Sequence, residues 1–408
     1  MNTDNKADKN TLIDRGETLG RMEPMKLSEG CRSRGELTDL VLELTAKASA
    51  LKYSLPAGTQ EALASLVRSM NCYYSNLIEG HDTHPIDIER ALSKGFSANP
   101  EQRNLQHEAR AHITVQKWID EVGLQGAPTN VTNICKIHKR FVLLLPQDLR
   151  VVINPDTKHE ANVLPGKYRE EDVCVGQHIA ISPGAIDRFM CRYEEAYSNL
   201  GKTETILATA AAHHRLLWIH PFLDGNGRVA RLVSHATLLK TLDHKGLWSV
   251  ARGFARSVNE YKAHLAKCDY ERRNDLDGRG TLSEEALAEF TQYFLKTCLD
   301  QVVFMTNLMA PEGLRGRITE WARSEVTRKA LPARSEMVLE ALLYRGELAR
   351  GEVASLLDYT PRQARRVMSE LSKIGVITSD GPRVPWRLVF PAKLASRWMP
   401  GLFPEKAG

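Results

Sequence analysis

The sequence predicts a mainly α protein that carries one β-hairpin and ends in a small domain of helices and strands. Three observations support this fold class. Apolar residues recur every three or four positions over most of the chain, which is the period of an amphipathic helix. Residues 164–183 instead have proline and glycine at both ends and alternating apolar residues between them, which indicates a β-hairpin. Residues 334–392 show three helical patterns followed by two short strand patterns.

Composition places the chain among ordinary globular proteins. Its 408 residues are enough for two or three domains with separate cores, and 42% of them are hydrophobic and 26% charged. There is no run of about 18 apolar residues, and the N-terminal segment lacks the apolar centre of a signal peptide. We therefore expect a cytoplasmic protein without membrane contact. The seven cysteines are widely spaced and form no Cys-x-x-Cys pair, so we expect buried thiols rather than disulfides or zinc ligands.

The basic charge lies at the C-terminal end. Residues 311–408 contain 17 Lys and Arg against 11 Asp and Glu, whereas residues 1–310 contain 38 against 39. A local excess of basic residues is the electrostatic requirement for contact with nucleic acid. Any contact with DNA is therefore expected in the C-terminal quarter.

Residues 1–100 divide into an arm and a set of helices. Residues 1–35 are polar and lack apolar periodicity, which predicts a mobile arm. Residues 36–100 contain amphipathic patterns, one of which runs on to Ser75, Glu79 and Gly80. Ser75 and Glu79 share one helix face, and Gly80 suits the left-handed residue that ends a helix. Taken alone, this short pattern is typical of a solvated glutamate before a helix end.

Residues 101–310 form the predicted core domain. The segment 203–219 is rich in alanine and apolar residues, so we expect it to be a buried helix. An open hairpin edge at 164–183 can pair with an extended peptide, although most such hairpins only connect helices. His138 is expected to be a core or surface histidine rather than a ligand. The other helical patterns of this domain lie at 104–121, 131–145 and 186–197.

The chain's most informative stretch is HPFLDGNGR, residues 220–228, which we name the signature loop. Pro221 disfavours helix at His220, so the preceding helix is expected to end there. A glycine-bracketed helix start near Gly227 is an anion site, because its N–H groups and dipole favour phosphate oxygens. Asp224 is a hard oxygen ligand suited to Mg²⁺ that bridges phosphates.

Three further side chains fit a bound triphosphate. Asn226 can hydrogen-bond a phosphate oxygen, and Arg228 and Arg231 lie three apart on one helix face. His220 can accept a proton from an attacking hydroxyl near neutral pH. An Asn-Gly turn between two helices is the structural alternative, and the combination of His, Pro, Phe and two Arg in register favours phosphate chemistry over it.

These residues resemble a known family. The signature loop, followed by Arg231, is similar to the signature of Fic-domain proteins, His-Pro-Phe-x-Asp/Glu-Gly-Asn-Gly/Lys-Arg, at every specified position. The resemblance spans about residues 36–309. It implies a Fic-type helical bundle, with the hairpin as a flap at residues 166–182 that aligns the target. It also implies transfer of AMP from ATP to a hydroxyl side chain of a target protein.

The resemblance assigns roles to single residues. His220 would deprotonate the target hydroxyl, and Asp224 would hold Mg²⁺. The remaining positions would bind the nucleotide: Asn226 with the backbone of Gly225 and Gly227 at the α- and β-phosphates, Arg228 at the β-phosphate, Arg231 at the γ-phosphate, and Tyr261 at the adenine. Where the family often has two adjacent tyrosines, this chain has Tyr261 followed by Lys262.

The same resemblance gives the Ser75 pattern a function. Many Fic proteins carry an inhibitory helix with the sequence Ser/Thr-x-x-x-Glu-Gly/Asn, which residues 75–80 match. Glu79 would pair with Arg231 and withdraw it from the γ-phosphate, since a charge-assisted pair in a partly buried site is strong. Glu79 and Arg231 could belong to the same chain or to the two chains of a homodimer, and the sequence leaves both arrangements open.

The C-terminal segment resembles a winged helix-turn-helix domain. Residues 311–333 are expected to form a linker that can include a short helix at 314–326, residues 334–392 the domain and residues 393–408 a tail. Thr360, Pro361 and Gln363 give a strong start signal for its third helix. This helix presents three arginines, and such a helix enters the DNA major groove in many winged helices. Winged helices also serve as dimerisation or protein-docking modules. The three arginines are Arg362, Arg365 and Arg366.

The main hypothesis is a self-inhibited protein adenylyltransferase that uses ATP and Mg²⁺. One alternative is a hydrolase that removes AMP at the same site, with Glu79 orienting a water. Another is a DNA-binding regulator whose Fic core senses nucleotide. The sequence also leaves open transfer of a different nucleotide, because a diphosphate cradle does not distinguish the base.

Overall fold

Helices make up most of the chain, as the apolar spacing predicts. The computed structural model describes residues 12–83, 85–93, 95–154 and 157–404. The α-helices, in chain order, are α1 Arg34–Lys52, α2 Ala57–Ile78, α3 Pro85–Leu92, α4 Pro100–Glu121, α5 Val131–Leu144, α6 Ile186–Tyr197, α7 Lys202–Ile219, α8 Asn226–Leu242, α9 Val250–Arg256, α10 Val258–Lys267, α11 Glu284–Leu308, α12 Pro311–Thr327, α13 Ser335–Arg345, α14 Val353–Leu357, α15 Pro361–Ile374 and α16 Ala395–Trp398.

The strands are short and form three small antiparallel sheets in the described part of the chain. β1 pairs with β2, β3 with β4, and β7 lies between β5 and β6. The strand bounds are β1 Val151–Ile153, β2 Glu160–Asn162, β3 Cys174–Val175, β4 His178–Ile179, β5 Glu347–Leu348, β6 Ile377–Thr378 and β7 Trp386–Leu388.

The chain separates into two units, which do not coincide with single stretches of sequence. The first takes its residues from Met1–Glu36, Leu124–Thr237 and Asn259–Gln292. The second takes them from Leu37–Gly123, Leu238–Val258 and Tyr293–Gly408. The first unit therefore contains the signature loop, and the second contains the Ser75 pattern and the C-terminal segment.

Helix α7 is a core helix of the first unit. Thirteen of its residues, from Ile206 to Ile219, are buried, so almost its whole circumference is covered. This matches the prediction from its alanine-rich sequence, because small residues allow neighbouring elements to approach from every side. The helix ends at His220, where the signature loop begins.

Residues 12–33 do not form the mobile arm that we expected over residues 1–35. Met22 is fully buried and Met25 is 2% exposed. The Glu17 carboxylate accepts hydrogen bonds from the Ser182 N–H at 2.8 Å and from its hydroxyl at 2.5 Å. The segment is mostly extended, so its apolar residues fill core sites without a helical period and gave no sequence signal. Residues 1–11 of the expected arm lie outside the described residues.

The predicted hairpin at 164–183 is present but short. β3 and β4 pair over two residues each, around a turn at Gly176-Gln177 in which Gly176 has a φ of 62°. The sequence analysis missed a second hairpin, β1 with β2, which pairs Val151 with Asn162. Its strands are three residues long and lie mostly outside the core, so they carry little apolar alternation.

The expected linker at 311–333 is largely a packed helix of the second unit. Leu314 and Ile318 on α12 are fully buried, and the Trp321 ring meets the Trp398 ring edge-on at 5.2 Å. The expected tail from residue 393 is likewise ordered around Trp398, which is 1% exposed. The short helix expected at 314–326 is present as part of α12, but its packing was not predicted.

Residues 335–388 follow the predicted order of helices and strands, with β5 added between the first two helices. Thr360 accepts from the Gln363 N–H and the Gln363 side chain accepts from the Thr360 N–H, so the predicted capping box is formed. Pro361 occupies the first helical position. α15 thus begins where the sequence predicts.

The seven cysteines are free thiols, but their burial varies. Cys72, Cys268 and Cys298 are buried, as expected. The prediction is wrong for Cys174 and Cys191, which are exposed because they lie on the short hairpin and on the outer face of α6. In the ranges that the structure describes, no helix is long and apolar enough to span a membrane.

Candidate active site

His220 ends α7 in a left-handed conformation, with φ 51° and ψ 59°. Its N–H still donates to the Leu216 carbonyl at 3.1 Å, so the backbone reverses direction within one residue. A side chain in this region is uncommon outside Gly, Asn and Asp. The turn ends the helix before Pro221, and the chain continues into the signature loop.

The hydrogen bonding of His220 defines its tautomer. Nδ1 lies 3.3 Å from the Leu217 carbonyl, which can only accept, so Nδ1 carries the proton and Nε2 holds the lone pair. Burial lowers the pKa of His220 to about 4. The imidazole is therefore neutral at pH 7, and its Nε2 can act as a base.

Asn226 closes the signature loop on itself. Its Oδ1 accepts from the Phe222 N–H at 3.0 Å, and its Nδ2 donates to the Phe222 carbonyl at 2.7 Å. Asn226 is 3% exposed and Phe222 is fully buried. The amide therefore fixes the loop's shape, and a carboxylate could not replace it because both a donor and an acceptor are needed.

His138, on α5, packs against the signature loop and hydrogen-bonds to it. Its ring stacks on the Phe222 ring at 3.8 Å with an angle of 7° between the planes. The Gly166 N–H donates to Nδ1 at 2.9 Å, so Nε2 carries the proton and donates to the Asp224 carbonyl at 3.2 Å. Burial lowers the pKa of His138 to about 4. His138 is thus a satisfied core histidine, as the sequence analysis expected, and it also joins the loop to the base of the hairpin.

Helix α8 begins directly after the loop, at Asn226. Gly225 has a φ of 83°, and its carbonyl accepts from the Val229 N–H at 2.9 Å as the first turn forms. The N–H groups that start a helix have no partner within it and favour anions. Arg228 and Arg231, 6% and 4% exposed, follow within two turns of this helix start. The arrangement concentrates positive charge beside the His220 base.

Comparison with known proteins identifies this arrangement. Residues 128–238 match the model of the Fic/DOC family. These residues are therefore similar to a Fic domain. A protein adenylyltransferase Fic from Nematostella vectensis is 26% identical over 240 residues, 56% of this chain and 52% of that protein. The one from Drosophila melanogaster is 26% identical over 171 residues, 41% of this chain and 32% of that protein. The chain thus spans about half or less of the length of these relatives.

Solved structures show the same fold. A Fic family protein from Desulfovibrio desulfuricans G20 superposes with a TM-score of 0.51 at 16% identity, over 89% of this chain and 98% of that one. Fic-1 from C. elegans gives a TM-score of 0.50 at 15% identity, over 68% of this chain and 73% of that one. The predicted Fic-type fold is therefore confirmed.

Asp224 is the exposed acid of the Fic signature loop. Its side chain is 49% exposed, and Oδ2 lies 3.7 Å from Arg228 Nη2, whose guanidinium also sits 5.0 Å from the Phe141 ring centre. Within the described residues, no three His, Cys, Asp or Glu side chains converge as a resident metal would require. One exposed carboxylate does fit Mg²⁺ that arrives with a nucleotide, because that ion takes its other ligands from phosphates and water.

Tyr261 lies on α10 and is 2% exposed. Its hydroxyl meets His213 Nε2 at 2.7 Å, and His213 Nδ1 meets the Ser234 hydroxyl at 2.9 Å. Ser234 donates to the Ala230 carbonyl at 2.9 Å, so the chain of donors runs from Tyr261 through His213 to Ser234. Burial first, and the Arg231 charge next, lower the pKa of His213 to about 3. This neutral network ties α7, α8 and α10 together behind the loop.

The sequence analysis missed Arg169, which lies between Gly166 and the hairpin. It is 3% exposed, and its Nε donates to the His220 carbonyl at 2.8 Å. An arginine in a loop carries no sequence signal for such a role. Only the Tyr-Arg pair directly before an acidic run, at residues 168–172, marks the place.

The residues of the expected inhibitory motif lie on α2 of the second unit. Ser75 is fully buried, and Glu79 is the exposed C-cap residue of α2. Gly80 has a φ of 87°, and the Asn76 carbonyl accepts from both the Glu79 and His81 N–H groups. The predicted helix end at Gly80 is therefore present.

Proposed function

We propose that this protein transfers AMP from ATP to a Ser, Thr or Tyr hydroxyl of a target protein. One observation supports this most strongly: a neutral His220, with Nε2 as its basic nitrogen, stands beside a helix start flanked by two buried arginines. A general base next to an anion cradle is what attack of a hydroxyl on a phosphate needs. The adenylyltransferase names of the Fic relatives agree with it.

The proposed step balances as follows. The target hydroxyl oxygen attacks the α-phosphorus while Nε2 of His220 takes its proton. The bond between the α-phosphorus and the bridging oxygen to the β-phosphorus breaks, and pyrophosphate leaves with that oxygen. The Nδ1 hydrogen bond to the Leu217 carbonyl supports the imidazolium that forms.

The Fic signature loop would hold the leaving group. The N–H groups at Gly225, Asn226 and Gly227 would face the α- and β-phosphates, while the Asn226 side chain keeps the loop in shape. Arg228 would contact the β-phosphate and Arg231 the γ-phosphate, with bidentate geometry that arginine provides. Asp224 would hold Mg²⁺, which neutralises the phosphates. Tyr261 would meet adenine through its ring, because its hydroxyl bonds to His213.

The hairpin supplies a surface for the target. Val175 is 48% exposed and Ile179 is 73% exposed, although both are apolar. Residues 166–182 therefore offer both a strand edge and apolar side chains to an extended segment of a partner. We propose that this flap aligns the target hydroxyl with His220.

Glu79 would restrain the reaction by pairing with Arg231, either within one chain or across a homodimer. The support is its position at the exposed end of α2, in a sequence that fits the inhibitory motif. A carboxylate bound to a buried guanidinium withdraws that guanidinium from phosphate. Replacing Glu79 by glycine should thus raise transfer.

The test uses the full chain, a cell lysate and ATP labelled at the α-phosphate. Glu79→Gly is expected to increase labelled protein, and adding His220→Ala to it is expected to abolish the label. Parallel reactions with labelled CTP, GTP and UTP determine the nucleotide. If Glu79→Gly leaves labelling at the parent level, the inhibitory role is wrong. If instead the parent protein releases AMP from a pre-labelled target and the Glu79→Gly variant does not, the site is a hydrolase.

A second candidate function is DNA binding by residues 334–392. Arg362, Arg365 and Arg366 are exposed on α15, and Arg383 is exposed between β6 and β7. Arg350 packs over the Trp386 ring at 4.2 Å and donates to the Val384 and Gly381 carbonyls, which orders the loop that carries Arg383. A basic helix beside a basic loop is the contact pattern of a winged helix on DNA.

Binding of the full chain to labelled duplex DNA at several salt concentrations tests this candidate. Each arginine that contacts phosphate is expected to contribute about one to the salt slope, so Arg362→Ala should reduce it by that amount. Arg397→Ala, an exposed arginine on α16, is the matched control. Absence of binding at low salt would favour a protein-docking or dimerisation role.

A further inference from the structure

Arg169 is a buried cation at the base of the flap. Besides the His220 carbonyl, its side chain reaches three more carbonyl oxygens. Nη1 donates to Glu171 at 2.8 Å, and Nη2 donates to Ile181 at 2.6 Å and to Ile219 at 3.5 Å. Its backbone N–H donates to the Pro221 carbonyl at 2.9 Å. One residue therefore connects the end of α7, the signature loop and both ends of the flap.

The guanidinium of Arg169 is hydrogen-bonded to main-chain carbonyls. All the acceptors around its guanidinium named above are main-chain carbonyls, and burial lowers its pKa to about 10, which leaves it charged at pH 7. The Asp172 and Glu17 carboxylates oppose this lowering of the pKa, but burial has the larger effect. The guanidinium has five N–H donors in a fixed planar fork, and at this position it bonds three separate segments at once, which the two donors of a glutamine cannot do.

Arg169 acts on two features of the proposed reaction. Its bond to the His220 carbonyl holds the peptide that follows the left-handed turn, and this turn sets where Nε2 points. Its bond to Ile181 holds the C-terminal end of the flap, beside the Ser182 that Glu17 also bonds. Movement of either end would shift the target hydroxyl relative to the base.

We propose that Arg169 is a positioning residue that keeps His220 and the flap in register. This inference rests on the proposed transfer of AMP to a protein hydroxyl. It concerns alignment of the target and base, not binding of the nucleotide. Replacing Arg169 should therefore lower kcat and leave the KM for Mg·ATP almost unchanged.

The test compares Arg169→Gln and Arg169→Lys, each in the full chain with Glu79→Gly. We expect Arg169→Gln to lower kcat at least about tenfold, since small misplacements of reacting groups have effects of this size or larger. The KM for Mg·ATP should stay within about twofold. Arg169→Lys should recover part of the rate, because lysine restores the charge and some of the donors.

Hydrogen exchange gives a second readout that does not need activity. Arg169→Gln should speed exchange at residues 169–182 and leave α6 and α10 at the parent rate. Arg215→Lys is the matched control: Arg215 is fully buried and donates to the Pro24 carbonyl at 2.9 Å, and its other hydrogen bonds are to His214 and Cys268, outside the flap. Arg215→Lys should not speed exchange in the flap more than in the rest of the first unit.

The outcomes separate the two proposals. If the Glu79→Gly parent transfers no nucleotide, the proposed function fails, and flap exchange alone decides the role of Arg169. If the parent is active and Arg169→Gln has the parent kcat and flap exchange, the positioning role is wrong. If Arg169→Gln speeds exchange throughout the first unit, as Arg215→Lys would, Arg169 only stabilises the fold and the inference is also overturned.

Discussion

At the scale of single residues, some polar groups of the signature loop are available to a ligand, whereas others hold the loop in shape. His220 and Asp224 keep reactive atoms available to a ligand, whereas the Asn226 amide is bonded at both ends to Phe222. His138 is likewise bonded through both ring nitrogens. A residue of the motif can therefore act by holding the backbone in shape, without contacting a ligand itself.

Replacing Asn226 by alanine tests this division. The variant loses two hydrogen bonds and leaves the buried Phe222 N–H and carbonyl without those partners, which should destabilise the fold by about 1–3 kcal/mol. Chemical denaturation of the full chain measures the change. Asp224→Ala is the matched control, because the Asp224 side chain is half exposed and its removal should destabilise the fold much less. Equal stability of the Asn226→Ala variant and the parent would contradict the loop-closing role.

At the scale of elements, the flap is anchored through a glycine that the sequence alone did not single out. Gly166 has a φ of 73°, and a Cβ there would lie 2.9 Å from the Cys135 carbonyl oxygen and 2.9 Å from the Lys139 Cβ. Its N–H also donates to His138. The start of the flap therefore packs against α5 without space for a side chain.

Gly176 at the flap turn is the matched control for Gly166. It has a φ of 62° but no atom within 4 Å of a built Cβ. Alanine at either position should cost about 1–2 kcal/mol for the left-handed backbone, and Gly166→Ala should cost more because α5 must move. Thermal unfolding of the two variants compares them. If Gly176→Ala is as unstable as Gly166→Ala, displacement of α5 adds no measurable destabilisation and the close packing at Gly166 is not important.

The extent of sequence-based prediction differs between elements. The bounds of α6, α7 and α15 and the signature loop were predictable because period, caps and motif lie in contiguous residues. The packing of residues 12–33, the β1–β2 hairpin and the role of Arg169 were not. The packing of residues 12–33 depends on partners far away in sequence, such as Ser182 for Glu17. The β1–β2 pairing and the Arg169 bonds join residues that are closer in sequence, but they are made to main-chain groups, which have no residue identity to detect.

At the scale of the whole molecule, the first unit buries several neutral histidines around the candidate site. Burial lowers the pKa to about 4 for His138, His214 and His220 and to about 3 for His213, from an ordinary value near 6.5. In the unfolded chain all four would take up protons as the pH falls through about 6.5. The folded state resists protonation until about pH 4.

Stability should therefore depend on pH in a defined direction. The contribution of these histidines is complete above about pH 6.5 and is lost progressively as the pH falls toward 4, because the unfolded state then binds more protons. Calorimetry of the full chain at pH 7.5, 6.5 and 5.5 should show a falling Tm. His213→Gln should reduce the fall between pH 6.5 and 5.5. A Tm that stays constant over this range would show that the histidines are not buried as neutral groups.

We propose that the signature loop transfers AMP with His220 as its base. The most direct measurement follows the label from ATP into protein by the Glu79→Gly chain, with the label placed at the α-phosphate in one reaction and at the γ-phosphate in another. We expect labelled protein only from α-labelled ATP, and none when His220→Ala is added. Labelling from the γ-phosphate, or α-labelling that survives His220→Ala, would contradict it.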